Sequence, residues 1–281
     1  MAAKNIVLCF DGTWNTPPDS ASPSEDNSTN VLQFFERVCA TAPNGRQQIK
    51  WYNQGVGTEW LNRIRGGAFG LGLDAHITEG YRQLIRNYQD GDDVYVVGFS
   101  RGAYTARSLV GLVRNCGLLR SEDECLIDRA YAMYRSRDNV DSEHARAFRR
   151  ANSRDVPIKF VGVWDTVGAL GIPMESFRDF DAPLYSFHDT KLSSIVQNAF
   201  HAIAVDEHRK PYAATLWGKQ DSRDTARGQT LEQVWFSGSH GDVGGGYPGR
   251  HPISDLTLRW MQKKAAECGL AVVEIPVAVH G

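Results

Sequence analysis

Apolar residues run along this chain in two rhythms. Short unbroken runs occupy positions 4–10 (KNIVLCF), 93–99 (DVYVVGF) and 156–164 (VPIKFVGVW), with weaker ones at 49–53 and 233–236. Runs this short, apolar at nearly every position rather than every second one, read as strands buried on both faces of a sheet. Between them the helical spacing appears over 31–38, 75–88, 103–115, 192–204 and 256–268. Asp255 reads as the N-cap of the last helix and Gly269 as its C-cap. Strands alternating with helices predict an α/β fold, a mostly parallel sheet with helices on both faces. The Pro- and Ser-rich stretch 16–30 reads as a loop. Segment 121–155 is dense in charge, with Arg129, Arg135, Arg137, Arg146, Arg149 and Arg150. It reads as a solvated helical insertion, or as a cap that holds cations over a site for an anionic substrate. No repeat and no dividing linker interrupt the pattern, so one domain is expected over 1–281.

Composition narrows the classes. Lys and Arg number 31 against 33 Asp and Glu, a formal charge of -2 over 281 residues. That removes the electrostatic argument for a nucleic-acid partner. With 42% hydrophobic and 23% charged residues the chain is of ordinary globular make-up. Five cysteines, at 9, 39, 116, 125 and 268, form no Cys-x-x-Cys pair, so reduced thiols in a cytoplasmic setting are expected rather than disulfides or a zinc site. No apolar run approaches transmembrane length, and the N-terminal one is too short for a secretory signal and leads straight into Asp11-Gly12.

Candidate chemistry centres on residues 98–102, Gly-Phe-Ser-Arg-Gly, which match G-x-S-x-G. A serine on a tight strand-to-helix turn needs small neighbours, because strand and helix approach too closely for a Cβ. Here a hydrophobic strand enters the motif and a helical pattern leaves it, which is the context the motif requires. The turn exposes Ser100 Oγ and aims the N–H of Arg101 at a developing oxyanion. A serine needs a base, and the base an orienting acid, in the chain order Ser, Asp or Glu, His. Asp165, at the end of the run 156–164, is the acid expected. Of the downstream histidines, His201 lies in an apolar stretch and reads as packing. His208 has Asp206 and Glu207 beside it for charge pairing. His240 sits in a loop just past a strand and is the base expected. A second oxyanion donor is expected from the loop after the first strand, at Gly12 or Thr13. Asp11 orients that loop, bonds to substrate or is simply a turn aspartate, and the sequence does not decide among these.

Other signals lead elsewhere. Gly70–Ala75 fits G-x-G-x-x-A, but no strand precedes it, and 66–73 reads as a close-packed loop or an apolar groove wall. Residues 10–13, FDGT, have Thr13 where a phosphatase loop needs its second aspartate. His240 and Asp242 have no third ligand nearby, so no metal is expected and Asp242 is left as a supporting residue.

Taken together, FDGTWN (10–15), YNQGVGT (52–58), GLGLDAHITEGYRQL (70–84), VVGFSRGAYTAR (96–107), VGVWDTVGALG (161–171) and VWFSGSHGDVGGGY (234–247) resemble the family catalogued as domain of unknown function 2235. That family is similar to the catalytic domain of Tle1-type phospholipase effectors of bacterial type VI secretion. The resemblance implies an α/β-hydrolase fold and a triad of Ser100, Asp165 and His240. It also implies phospholipase A-type ester hydrolysis without a cofactor, a lipid or other acyl-ester substrate, a secretion or immunity protein as partner, and export by a type VI system. The chain ends 41 residues after His240, so a freestanding esterase is equally compatible. Two alternatives stay open: a catalytically silent module docking a partner through 121–155, and a thioesterase or amidase on the same triad.

Overall fold

A computed structural model of the chain describes residues 2–12, 27–55, 71–136, 140–168, 191–218, 228–247 and 252–275. In chain order the elements are β1 (Asn5–Phe10), α1 (Asn30–Arg37), β2 (Gln48–Asn53), α2 (Leu71–Asn87), β3 (Asp93–Phe99), α3 (Arg101–Cys116) and β4 (Leu118–Leu119). There follow α4 (Glu124–Arg135), α5 (Glu143–Asn152), β5 (Ser153–Arg154), β6 (Ile158–Trp164), β7 (Val196–Ala204), β8 (Thr230–Phe236), α6 (His240–Gly244) and α7 (Pro252–Glu267). Six strands form one sheet in the order β2-β1-β3-β6-β7-β8, and every pairing in it is parallel. β4 and β5 make a separate antiparallel pair.

The sheet is covered on both faces. Alternate residues of one strand point to opposite sides. Thus Ile6, Leu8 and Phe10 of β1 join a core with α2, α3, α4 and α5, where Leu84, Leu109 and Leu112 are fully buried. Val7 and Cys9 of the same strand join a second core with α1 and α7, around Phe34, Trp164 and Met261. β1 has no exposed position, whereas the edge strands β2 and β8 are half-buried along most of their length. This double coverage is why the central strands read as continuous apolar runs.

Chain order also dictates where a cleft opens. From β1 the chain winds through α1 to β2 on one side, then crosses through α2 to β3 on the other. Ligand sites in such sheets lie at this reversal, beyond the carboxyl ends of the two strands. Those ends are Phe10, followed by Asp11-Gly12, and Phe99, followed by Ser100.

Two expectations need correction. The stretch 192–204 is not a helix: Val196–Ala204 is strand β7, paired to both β6 and β8. Its last six residues are buried on both faces, which removes the alternation that marks a strand, and its alanines favour helix locally. Asp255 does not cap α7; the helix begins at Pro252 and Asp255 lies in its first turn, favourable to the helix dipole. Gly269 does end α7. Its φ is +95°, and Leu270 N–H returns to Ala265 O at 3.0 Å.

Segment 121–155 is an outer helical layer. Ile127, Ala130 and Met133 of α4, with Ala145 and Phe148 of α5, bury against the α2–α3 side of the sheet. Arg120, Arg146, Arg149, Arg150 and Arg154 gather around an open cavity of about 580 Å³ with Asp90 and Asp155. Asp90 and Asp155 lead into β3 and β6, so this basic pole lies at the amino ends of the strands, opposite the cleft.

Candidate active site

Ser100 occupies a strained turn between β3 and α3. Its φ and ψ are 58° and -122°, a region L-residues seldom adopt, and its N–H is held by Trp164 O at 3.1 Å. The flanking glycines are required by contact. A Cβ on Gly98 would lie 2.5 Å from Gly102 O, and one on Gly102 only 2.1 Å from Phe10 O. Neither distance accommodates a carbon, so strand, turn and helix hold this spacing only with hydrogen there.

Asp165 follows β6 and also has a positive φ, 36°. It is wholly buried. Its N–H bonds to Ala202 O at 2.8 Å, and its Oδ1 accepts from Ala204 N–H at 3.0 Å. β7 therefore clamps the acid from two sides. Its other oxygen, Oδ2, lies 2.6 Å from His240 Nδ1. His240 opens the short helix α6, and its Nε2 is 2.8 Å from Ser100 Oγ. The three side chains thus form one hydrogen-bonded chain, each 8% exposed or less.

The histidine is fixed by several contacts. Phe99 and Tyr212 pack on its ring at centroid distances of 4.6 and 4.9 Å. Its backbone N–H donates to Glu207 Oε2 at 3.2 Å. Asp242 does not reach the histidine ring. Its Oδ2 accepts from Ser239 N–H and Oγ, both at 2.8 Å, and so caps the helix that presents His240.

The β1 loop closes the other wall. A Cβ on Gly12 would lie 3.3 Å from Ser100 Cβ, so this glycine stands against the serine. Its N–H, however, donates to Asp11 Oδ1 at 2.7 Å, which occupies the donor expected for an oxyanion. Asp11 Oδ2 accepts from Thr29 Oγ1 at 2.6 Å and from the Tyr52 hydroxyl. Asp11 thus ties the loop to β2 and the start of α1. Thr13 lies outside the described residues, as do positions 66–70 of the expected groove wall. Arg101 is the first residue of α3, whose opening N–H groups have no acceptor within the helix.

His201 is more than packing. It is fully buried on β7, and its Nε2 accepts the N–H of Thr166, the residue after Asp165, at 3.1 Å. Burial first, and the Arg107 charge second, pull its pKa down to about 3, so the ring is neutral and its Nε2 lone pair is present. Gln233 Oε1 stands 3.5 Å from its Nδ1 and also accepts Trp217 N–H at 2.8 Å. His208 takes no part in the cluster. Its neighbours do: Glu207 holds the His240 backbone, and Arg209 returns a fork of hydrogen bonds to Glu207. Glu207 is 33 residues from His240, with no spacing pattern to reveal the pair.

Above Ser100 and His240 is a cavity of about 150 Å³, walled by Gly12, Phe99, Arg209, Tyr212 and Tyr247 with a run of glycines from α6. No described residue of 121–155 lines it. Two larger cavities, each of about 580 Å³, lie at the amino ends of the strands, away from these groups. Among the described residues no group of three His, Cys, Asp or Glu is arranged to hold a metal ion, and no helix is long and apolar enough to cross a membrane.

A parallel sheet wound in this order, with a strained serine turn after its third strand, is the α/β-hydrolase fold. The chain belongs to the family described as type VI secretion system phospholipase effector Tle1-like, catalytic domain, whose profile matches residues 4–264. It is 31% identical over 235 residues to the uncharacterized protein YEL023C of Saccharomyces cerevisiae, a match covering 74% of this chain and 32% of the yeast protein. It is similar to the crystal structure of an uncharacterized protein from Pseudomonas aeruginosa, with 21% identity and a TM-score of 0.53, over 96% of this chain and 46% of that one. A structure of the Tle1 effector bound to the VgrG spike matches with 18% identity and a TM-score of 0.47, over 87% and 51% of the two chains. The chain therefore spans about a third to a half of the length of these relatives.

Proposed function

We propose that this chain is a serine hydrolase that cleaves carboxylic esters of the phospholipid type. The observation that carries the reading is the buried chain Asp165 Oδ2–His240 Nδ1, His240 Nε2–Ser100 Oγ, at 2.6 and 2.8 Å. Ser100 Oγ attacks the ester carbonyl while His240 Nε2 takes its proton. Asp165 keeps the imidazole in the tautomer that accepts at Nε2, and stabilises the imidazolium that forms. His240 then protonates the leaving alcohol, and water repeats the sequence on the acyl-enzyme. The Arg101 N–H is the first oxyanion donor. With the Gly12 N–H engaged by Asp11, Thr13 is the better candidate for the second.

The lipid assignment draws on the family, whose description names phospholipase effectors. By the same route, secretion-system proteins are the partner class proposed, and type VI export the proposed route. The proposed catalytic unit runs from Asp11 to His240, within the matched residues 4–264. The test is an extract of phospholipids incubated with wild type and with Ser100→Ala, read by mass spectrometry, together with labelling by a fluorophosphonate probe. Lysophospholipid, free fatty acid and label are expected with wild type only. Equal labelling of the two proteins removes Ser100 from the reaction.

A further inference from the structure

The cations that the sequence gathers in 121–155 do not line the catalytic cavity, but one other cation does. Among the described residues, Arg209 is the one permanently charged residue in its wall. Its guanidinium is held in place from two directions. Nε and Nη2 form a fork on Glu207, to Oε1 at 2.9 Å and Oε2 at 2.6 Å. The plane lies over the Tyr212 ring, 4.2 Å from its centroid, and Tyr212 packs on His240 at 4.9 Å. Those two steps keep the guanidinium carbon no farther than about 9 Å from the imidazole.

The two partners differ in exposure. The Glu207 side chain is 4% exposed, that of Arg209 54%. The carboxylate is inward and already accepts from four donors: Arg209 N, Nε and Nη2, and His240 N. Arg209, by contrast, has used only its side-on edge. A guanidinium carries five N–H bonds in two forks, and the end-on fork, Nη1 with the outer N–H of Nη2, has no partner among the described residues. A planar, immobilised fork of this kind matches two oxygens of a phosphate. In a glycerol-based lipid the phosphate lies only a few bonds from each acyl ester.

We propose that Arg209 is a specificity-determining residue, binding through its end-on fork a phosphodiester anion on the same substrate whose ester faces Ser100. Glu207 supplies no affinity of its own; it sets the orientation of the fork and couples it to the His240 backbone. The proposal rests on the serine-hydrolase reading, and its test separates the two.

The measurement is kcat/KM for two soluble esters with the same short acyl chains, dihexanoyl phosphatidylglycerol and neutral dihexanoylglycerol, on wild type, Arg209→Ala, Arg209→Lys and Ser100→Ala. Arg209→Ala is expected to lower the ratio of anionic to neutral turnover about 10- to 100-fold, the scale of a charge-assisted hydrogen bond. Arg209→Lys keeps the charge and loses the fork, and is expected to fall between. The rate of labelling by an uncharged fluorophosphonate reads the catalytic groups alone. It is expected to change far less than the ratio. Equal losses on both esters, with slowed labelling, mean that Arg209 only braces the His240 loop, and overturn the proposal. A wild type inert toward both esters and unlabelled removes the hydrolase reading, and this proposal with it.

Discussion

Replacing His201 by glutamine isolates a titration that the fold suppresses. In the native protein the imidazole is fully buried and accepts from Thr166 N–H, and its pKa is held near 3 against an ordinary 6.5. The native value lies below the unfolded one, so the unfolded chain takes up a proton first as pH falls. Stability from this group is complete above about pH 6.5 and is lost progressively between about 6.5 and about 3. At pH 5 the unfolded ring lies 1.5 units below its own pKa, which amounts to about 2 kcal/mol. Glutamine offers a carbonyl oxygen to the same N–H but does not titrate. Urea unfolding at pH 7 and pH 5 is the assay. Wild type is expected to lose about 2 kcal/mol more than His201→Gln over that interval, all other groups being common to both. Equal losses, to within about 0.5 kcal/mol, refute the reasoning: either the ring is protonated in the native state or its acceptor role is absent.

Gly102→Ala places a carbon 2.1 Å from Phe10 O, so α3 must move off β1; a loss of about 3 kcal/mol or more in urea unfolding is expected, beyond ordinary overpacking. Asp165→Asn leaves the packing nearly isosteric but stabilises the wrong histidine tautomer; kcat on a soluble ester is expected to fall by about 10⁴ while KM stays within a small factor. Native protein treated with a thiol reagent at pH 8 is expected to react first at the exposed Cys125, with Cys9 and Cys116 masked until urea is added. Both are buried, and burial holds their thiols well above the usual range, at about 12 for Cys116; early loss of either in mass-mapped kinetics contradicts the core described here.

What the amino-acid pattern revealed, and what it hid, follows from the reach of each interaction. β1, β3 and β6 were readable because burial on both faces leaves an unbroken apolar run. The same burial made β7 unreadable, since its alanines and His201 give no alternation and no β-branched signature. The proposed triad of Ser100, Asp165 and His240 rests in the sequence on chain order and position after strands. The clamps around them have no such signal. Ala204 reaches Asp165, Glu207 reaches His240 and Tyr52 reaches Asp11 across 39, 33 and 41 residues, and nothing in the local sequence marks those pairs. For Asp242, left as a supporting residue, the sequence did not show the contact it makes, which is with Ser239 at the start of its own helix. The hydrogen bond from the Gly12 amide to the neighbouring Asp11 carboxylate was hidden too, because it depends entirely on the turn.

The order of strands also bears on how the chain comes to life. Every pairing in the main sheet is parallel, and β1 must find β3 across 88 residues. Such long-range closures are slow and are completed late. The proposed site borrows from the ends of β3 and β6 and from the turn after β8, the last strand formed along the chain, with Ser100 and His240 140 residues apart. No partial assembly holds the base beside the serine. A nascent chain emerging from the ribosome therefore carries Ser100 apart from His240 until its edge strand docks, and under the proposed function hydrolysis begins only with that last docking.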